Sequence, residues 1–125
     1  MNQRPLVYLA SPYTAGGANA ATREARFKTS CIAAAKLIKN GYYVFSPIAH
    51  SHMIEVLGGY KSHSGWLEQD YAVLEHCSAM FILKLWGWEK SRGILEELFF
   101  CKSRGIPVRM IEFYKGNLCL KNWAL

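Results

Sequence analysis

The chain has 125 residues, the length of one domain and not of two, so residues 1–125 are read as a single unit. Hydrophobic residues make up 51% and charged residues 19%, which excludes a disordered chain, and the apolar runs fall short of the ~20 residues a membrane span needs. Net charge is +6, which favours anionic ligands, but the lysines and arginines are scattered from Arg4 to Lys121 without a run, which argues against a specific nucleic-acid partner.

The elements alternate along the chain. Leu6 to Ala10 is a short apolar run stopped by Ser11-Pro12 and reads as a strand. Residues 20–40 read as a helix with an apolar stripe of Phe27, Cys31, Ala34, Ala35 and Ile38, closed by Gly41. Tyr42 to Phe45 is a second strand, ended by Ser46-Pro47. Residues 47–64 are rich in Gly, Ser and His and read as a long loop with room for a helical turn. Ser64 is expected to cap a helix over 65–77, and Ala79 to Leu83 is a buried strand. A loop over 84–90 leads to Ser91, which caps a helix over 92–104 ended by Gly105. Pro107 to Ile111 is a fourth strand, and the tail from Glu112 holds at most a last short strand or turn. This order predicts a small doubly wound α/β fold: a parallel sheet of four to five strands, ordered 2-1-3-4, with helices on both faces. Ligands of such folds bind beyond the carboxyl ends of the strands, which draws attention to residues 11–19, 47–64 and 84–93.

The four cysteines, at 31, 77, 101 and 119, have no C-x-x-C spacing, and three lie in apolar helical patterns. They read as free thiols in a reducing compartment. Zinc would need His50-Ser51-His52 and distant partners at no standard spacing, so no metal and no cofactor is expected. Met1 to Ala10 has no signal-peptide layout, and the expectation is a soluble cytoplasmic protein with no membrane partner.

Asp70 is the only aspartate and sits in mid-helix, where aspartate is a poor residue. It shares a helical face with Trp66, Val73, Leu74 and Cys77. A carboxylate on an apolar stripe is costly unless partnered, so it serves either a buried donor or a function. Glu97 lies beside Ile94 and Cys101 on its helical wheel, whereas Glu96 points almost opposite Ile94, toward water. A salt bridge and a functional role are both open for Glu97. Ser91-Arg92-Gly93 opens that helix, and a helix N-terminus suits a phosphate. Tyr8 lies in the first strand, either packed in the core or hydrogen-bonded to a carboxylate at the sheet edge.

Three segments in this order carry a resemblance: Tyr8-Leu9-Ala10-Ser11-Pro12, Leu67-Glu68-Gln69-Asp70, and Ser91-x-Gly93-x-x-x-Glu97. From Leu6 to Glu112 the chain resembles the nucleoside 2-deoxyribosyltransferase superfamily, which includes the deoxynucleoside 5′-monophosphate N-glycosidases. It looks closest to an uncharacterised branch with a Phe-Ser-Pro-Ile-x-His segment, here Phe45 to His50, and a Gly-Trp-Glu-x-Ser loop, here Gly87 to Ser91.

The resemblance implies a flavodoxin-like fold and an enzyme that cleaves an N-glycosidic bond, by hydrolysis or base transfer, in a nucleoside or its 5′-monophosphate. It maps the nucleophile onto Glu97, the acid/base onto Asp70 and the residue that orients the glutamate onto Tyr8. Substrate contacts are expected at Ser11, with phosphate held by Ser91, Arg92 and Gly93, helped by Arg23. His50 and His52 either line the base pocket or pack the loop. Transferases tend to have aspartate at the position of Ser91, and monophosphate hydrolases serine. The chain departs from the family pattern at Ser78 and in the 47–64 segment. A homodimer or larger homo-oligomer is expected, from the resemblance and from wide apolar helix faces such as Leu95, Phe99 and Phe100. The alternative is a nucleotide-binding sensor without turnover.

Overall fold

A computed structural model describes residues 4–121. In chain order these form β1 (Leu6–Ala10), α1 (Ala20–Lys39), β2 (Tyr43–Phe45), α2 (Pro47–Gly58), α3 (His63–Leu74), β3 (Ala79–Leu83), a 3-10 turn (Trp88–Lys90), α4 (Arg92–Arg104), β4 (Val108–Tyr114) and β5 (Asn117–Lys121). The sheet runs β2-β1-β3-β4-β5. Its first four strands are parallel, as the alternating pattern predicts, and β5 is an antiparallel addition to β4.

Period-two alternation divides the core between the two faces. Val7 and Leu9 of β1 and Phe81 and Leu83 of β3 join Ala33 and Leu37 of α1 on one face. Tyr8, Ala10, Met80 and Ile82 join Leu74 of α3 and Ile94 and Cys101 of α4 on the other. β1 and β3 are covered on both sides, so their sequences are continuous apolar runs.

The structure departs from the sequence reading in three places. The segment expected as a loop over 47–64 is mostly helix. Ser46 ends β2 and also caps α2, accepting from the Ala49 N–H at 3.2 Å, and Pro47 occupies the first helical turn. Gly59 closes α2 in the left-handed region at φ 73°. Helix α3 begins earlier than expected because Ser62, not Ser64, is its cap, and it ends at Leu74. The buried face of α1 is Arg26, Ser30, Ala33 and Leu37, while Ile38 is exposed. The stripe is displaced because Arg26 and Ser30 find polar partners inside. The tail from Glu112 does hold a last short strand: Lys115 and Gly116, both at positive φ, turn the chain from β4 into β5. Lysine is not a usual residue for such a turn, so the hairpin left little trace in the sequence.

Candidate active site

A cavity of about 230 Å³ opens at the carboxyl end of the parallel strands, where doubly wound folds place their ligands. Ser11, Tyr13 and Thr14 line it from the β1–α1 loop; Pro47, Ile48, Ser51 and Glu55 from α2. Trp66, Leu67 and Asp70 come from α3, and Ser91, Gly93, Ile94 and Glu97 from the start of α4. Lys61, between α2 and α3, and His63, the first residue of α3, complete the rim. A neighbouring cavity of about 430 Å³ shares Tyr13, Thr14, Glu55 and Lys61 with the first and adds Arg23 and Val56.

Three of the residues singled out in the sequence converge at the floor. Tyr8 is wholly buried on the face of β1 that packs on α3 and α4. Its hydroxyl donates to Glu97 Oε2, and it also partners the carboxyl of Asp70. Glu97 is 5% exposed on the buried face of α4, between Ile94 and Cys101. Asp70 is half-buried on α3.

Burial decides the electrostatics. It pushes the Glu97 carboxyl up to about 8, and the nearby Asp70 and Glu96 charges add to this, while the Tyr8 hydrogen bond holds it back. Burial also raises Asp70 to about 6, against the opposing pull of Tyr8 and His63. Tyr8 itself is raised well above the ordinary phenol range, by burial first and then by the two acids, so it is a neutral donor. The two carboxyls therefore hold one proton between them from about pH 6 to about pH 8. Such a pair can present one acid and one carboxylate at once.

Glu96, one residue away, differs in each respect. It is half-buried, 2.7 Å from Arg92 Nε and 3.1 Å from His63 Nε2. Arg92 is thus turned to Glu96 along the outer face of α4 and is not among the residues that line the cavity. At the helix start, Ser91 is buried and accepts from the Ile94 N–H at 3.2 Å. Its own O–H is left to donate, next to the free N–H groups of the first turn.

The remaining candidates divide. Ser11 lines the cavity and is hydrogen-bonded to Ser30 at 2.7 Å. Arg23 lines the neighbouring cavity instead, with its guanidinium 2.6 Å from the Ala18 carbonyl. Neither His50 nor His52 lines either cavity. Two positions apart on a helix, they point to nearly opposite sides. His50 is exposed between Phe45 and Trp66, and His52 is buried against Phe27. Of the two readings open for them, packing is the one their placement fits.

Sequence reasoning passed over three contributors. Arg26 is buried and donates to the carbonyls of Tyr13 and Ala15 at 2.9 Å each and to that of Trp86 at 3.3 Å. It ties the β1–α1 loop to the β3–α4 loop and, among the described residues, has no carboxylate partner. Its spacing with Ser30, Ala33 and Leu37 is the signal that could have found it. Tyr13 and Lys61 lay in segments read as loop, where no periodicity reports direction. Among the described residues, no group of three His, Cys, Asp or Glu side chains is placed to hold a metal ion. Nor is any helix among them long and apolar enough to cross a membrane. The cysteines are free; burial raises Cys77 to about 11 and Cys101 to about 12, so both are unreactive thiols.

Comparison with known proteins bears first on the fold. The solved structure of a 2-desoxiribosyltransferase from Leishmania mexicana superposes with a TM-score of 0.53, covering 97% of this chain and 81% of that one. The two are 13% identical, so the likeness is one of fold. No curated protein matches the chain. The sheet and helices that build the cavity, from just before β1 to near the end of β4, fall within residues 5–113, which match the family described as a domain of unknown function, DUF1937, and the chain belongs to that family.

Proposed function

We propose that the protein cleaves the N-glycosidic bond of a nucleoside 5′-monophosphate, with Glu97 as nucleophile. One observation carries this reading: a buried glutamate and a half-buried aspartate share a single tyrosine hydroxyl at the floor of a cavity beyond the strand ends. The resemblance of the motifs and the fold of the 2-desoxiribosyltransferase support it.

The chemistry follows from the two carboxyls. As the bond to the base breaks, positive charge develops on the sugar. Ionised Glu97 stabilises that charge and bonds to the anomeric carbon, while Asp70 gives its proton to the departing base. Water or a second base then attacks the anomeric carbon, giving up a proton to the now ionised Asp70 as the bond to Glu97 breaks, which completes hydrolysis or transfer. The reactive arrangement has the proton on Asp70 and the charge on Glu97. It is the minor of the two singly protonated forms, since Glu97 is the more basic group. The Tyr8 hydrogen bond and the cationic sugar both favour it.

The phosphate would lie at the start of α4, held by the Ser91 hydroxyl and the N–H groups around Gly93. Arg92, paired with Glu96, contributes only to the long-range field. Exposed Leu95 and Phe99, the latter 68% exposed, support a homo-oligomer built on the outer face of α4, and a monomeric mass by light scattering at micromolar concentration would refute that part.

The deciding experiment is incubation with a panel of nucleosides and their 5′-monophosphates, with free base measured by chromatography. Base release is expected to be roughly tenfold to a hundredfold more efficient for the monophosphates, the value of a charge-assisted phosphate contact. In Ser91→Asp that preference should vanish while the free nucleoside is spared. Equal kcat/KM for both forms in the wild type would remove the phosphate site. Binding without any base release would instead favour a sensor.

A further inference from the structure

Tyr13 stands on the wall shared by the two cavities. Behind it, away from Glu97 and Asp70, runs a chain of polar groups that the glycosidic chemistry above does not use. His52 of α2 is 3% exposed and stacked on Phe27 of α1, with ring centroids 4.3 Å apart. Its Nδ1 is 2.6 Å from the Tyr13 hydroxyl, and its Nε2 is 2.6 Å from Glu24 Oε2. Both ring nitrogens of a buried imidazole are thus engaged.

The chemistry of the end group orders the whole chain. A carboxylate only accepts, so His52 Nε2 carries the hydrogen. In the neutral ring Nδ1 then has the lone pair, and the Tyr13 O–H donates into it. A phenol has one hydrogen. With that hydrogen directed to His52, the Tyr13 oxygen offers the cavity an acceptor beside Arg23 and no donor. Burial raises the Tyr13 pKa, so the group stays a neutral phenol. Two charged groups also hydrogen-bond the Tyr13 hydroxyl: Arg23, which only donates and so takes one lone pair, and Glu55, which only accepts and so competes with His52 for the hydrogen; the 2.6 Å contact favours His52. Lys28 sits 3.9 Å from the other oxygen of Glu24. Were Nδ1 to carry the hydrogen instead, Tyr13 would be free to donate to Glu55, and its polarity toward a ligand would reverse.

We infer that Tyr13 is a substrate-contacting residue that receives an O–H or N–H of the ligand, and that His52 and Glu24 are positioning residues that hold it in the accepting state. The inference rests on the proposed function for the nature of the ligand, in which the donor is a sugar hydroxyl or an amino or ring N–H of the base. It assigns the wall between the cavities a selective role: a ligand with a donor at that point is accepted, and one with the donor methylated is rejected.

The test has two arms. First, nitrogen-15 spectra of the histidine rings at pH 7.5, with the His52 signals identified by their loss in His52→Gln, report the tautomer. A single Nε2–H form is expected in the wild type, and a mixture in Glu24→Gln. An Nδ1–H form or a rapid average in the wild type would overturn the inference, whatever the protein acts on. Second, calorimetry on the Glu97→Gln protein compares the common nucleoside 5′-monophosphates with their 2′-O-methyl, 3′-O-methyl and N-methylated analogues. One class of methylated analogue is expected to bind about tenfold more weakly than its parent, and adding Tyr13→Phe should abolish the difference. Equal binding of all analogues in the Tyr13 protein would also overturn it. If no monophosphate binds either protein, the nucleotide reading fails, and the tautomer alone decides whether His52 fixes Tyr13.

Discussion

The two sides of the cavity use the same donor in different surroundings. On the α4 side, Tyr8 donates directly to a carboxylate. On the α2 side, Tyr13 reaches a carboxylate through an imidazole. Glu97 is buried, and among the described residues no cation pairs with it. The cost of that burial appears in its proton equilibrium, moved up to about 8. Glu24 is 46% exposed, beside His52 and Lys28, and its charge stays in water. The contrast separates two uses of an acid. A desolvated one is poised to exchange a proton or bond to a cationic centre; a solvated one fixes the geometry of its neighbour.

The sharpest way to break the comparison is Glu97→Gln. It should reduce base release on the order of a thousandfold or more while the fold is kept, since the amide retains an acceptor for Tyr8. Glu96→Gln, which removes the pairing with Arg92 and His63 and the weaker of the two charges acting on Glu97, should stay within about twofold in kcat/KM. Full turnover in both variants would remove Glu97 from the mechanism.

Tyr8→Phe comes next. In the wild type, kcat/KM is expected to be bell-shaped, with limbs near 6 and 8, because the active form carries one proton on the Asp70–Glu97 pair. The Tyr8 hydroxyl lowers both carboxyls. Its removal should move both limbs to higher pH and reduce the maximum by roughly tenfold to a hundredfold. A profile that keeps its limbs would mean that Tyr8 only fills space.

Stability against pH sharpens the contrast without a substrate. Glu97 and Asp70 both have folded pKa values above the unfolded ones of 4.5 and 3.8. The native state therefore binds more protons than the unfolded state between those values and about 8 and 6. Their contribution is fully present below the unfolded values and is lost as pH rises through the folded ones. Denaturant titrations should show stability falling from pH 4.5 to 8 by on the order of 6 kcal/mol, about 4 of it from Glu97. Glu97→Gln should flatten most of that slope and be the more stable protein at pH 8. The smallest effect belongs to Lys28→Ala, whose exposed pair with Glu24 should change stability by less than about 0.5 kcal/mol.

What the sequence by itself determined is whatever depends on neighbours a few residues apart. Alternating apolar runs and capped helical stripes set the parallel strands and their order, because right-handed crossovers leave few other arrangements. The helical wheel of α4 was enough to bury Glu97 and turn Glu96 outward. Local signals failed where one residue serves two elements. Ser46 closes a strand and opens a helix, so the sequence of α2 resembles a loop, and the opposite fates of His50 and His52 leave no local trace. Only the tertiary structure decided the rest. Tyr8 and Glu97 are 89 positions apart, and Tyr13 and His52 are 39 apart, so no periodicity links them. The raised carboxyls and the fixed imidazole are products of desolvation and of partners brought in from other elements. Those quantities exist only after the strands and helices have packed, because water leaves Glu97 and Asp70 at that step and at no earlier one.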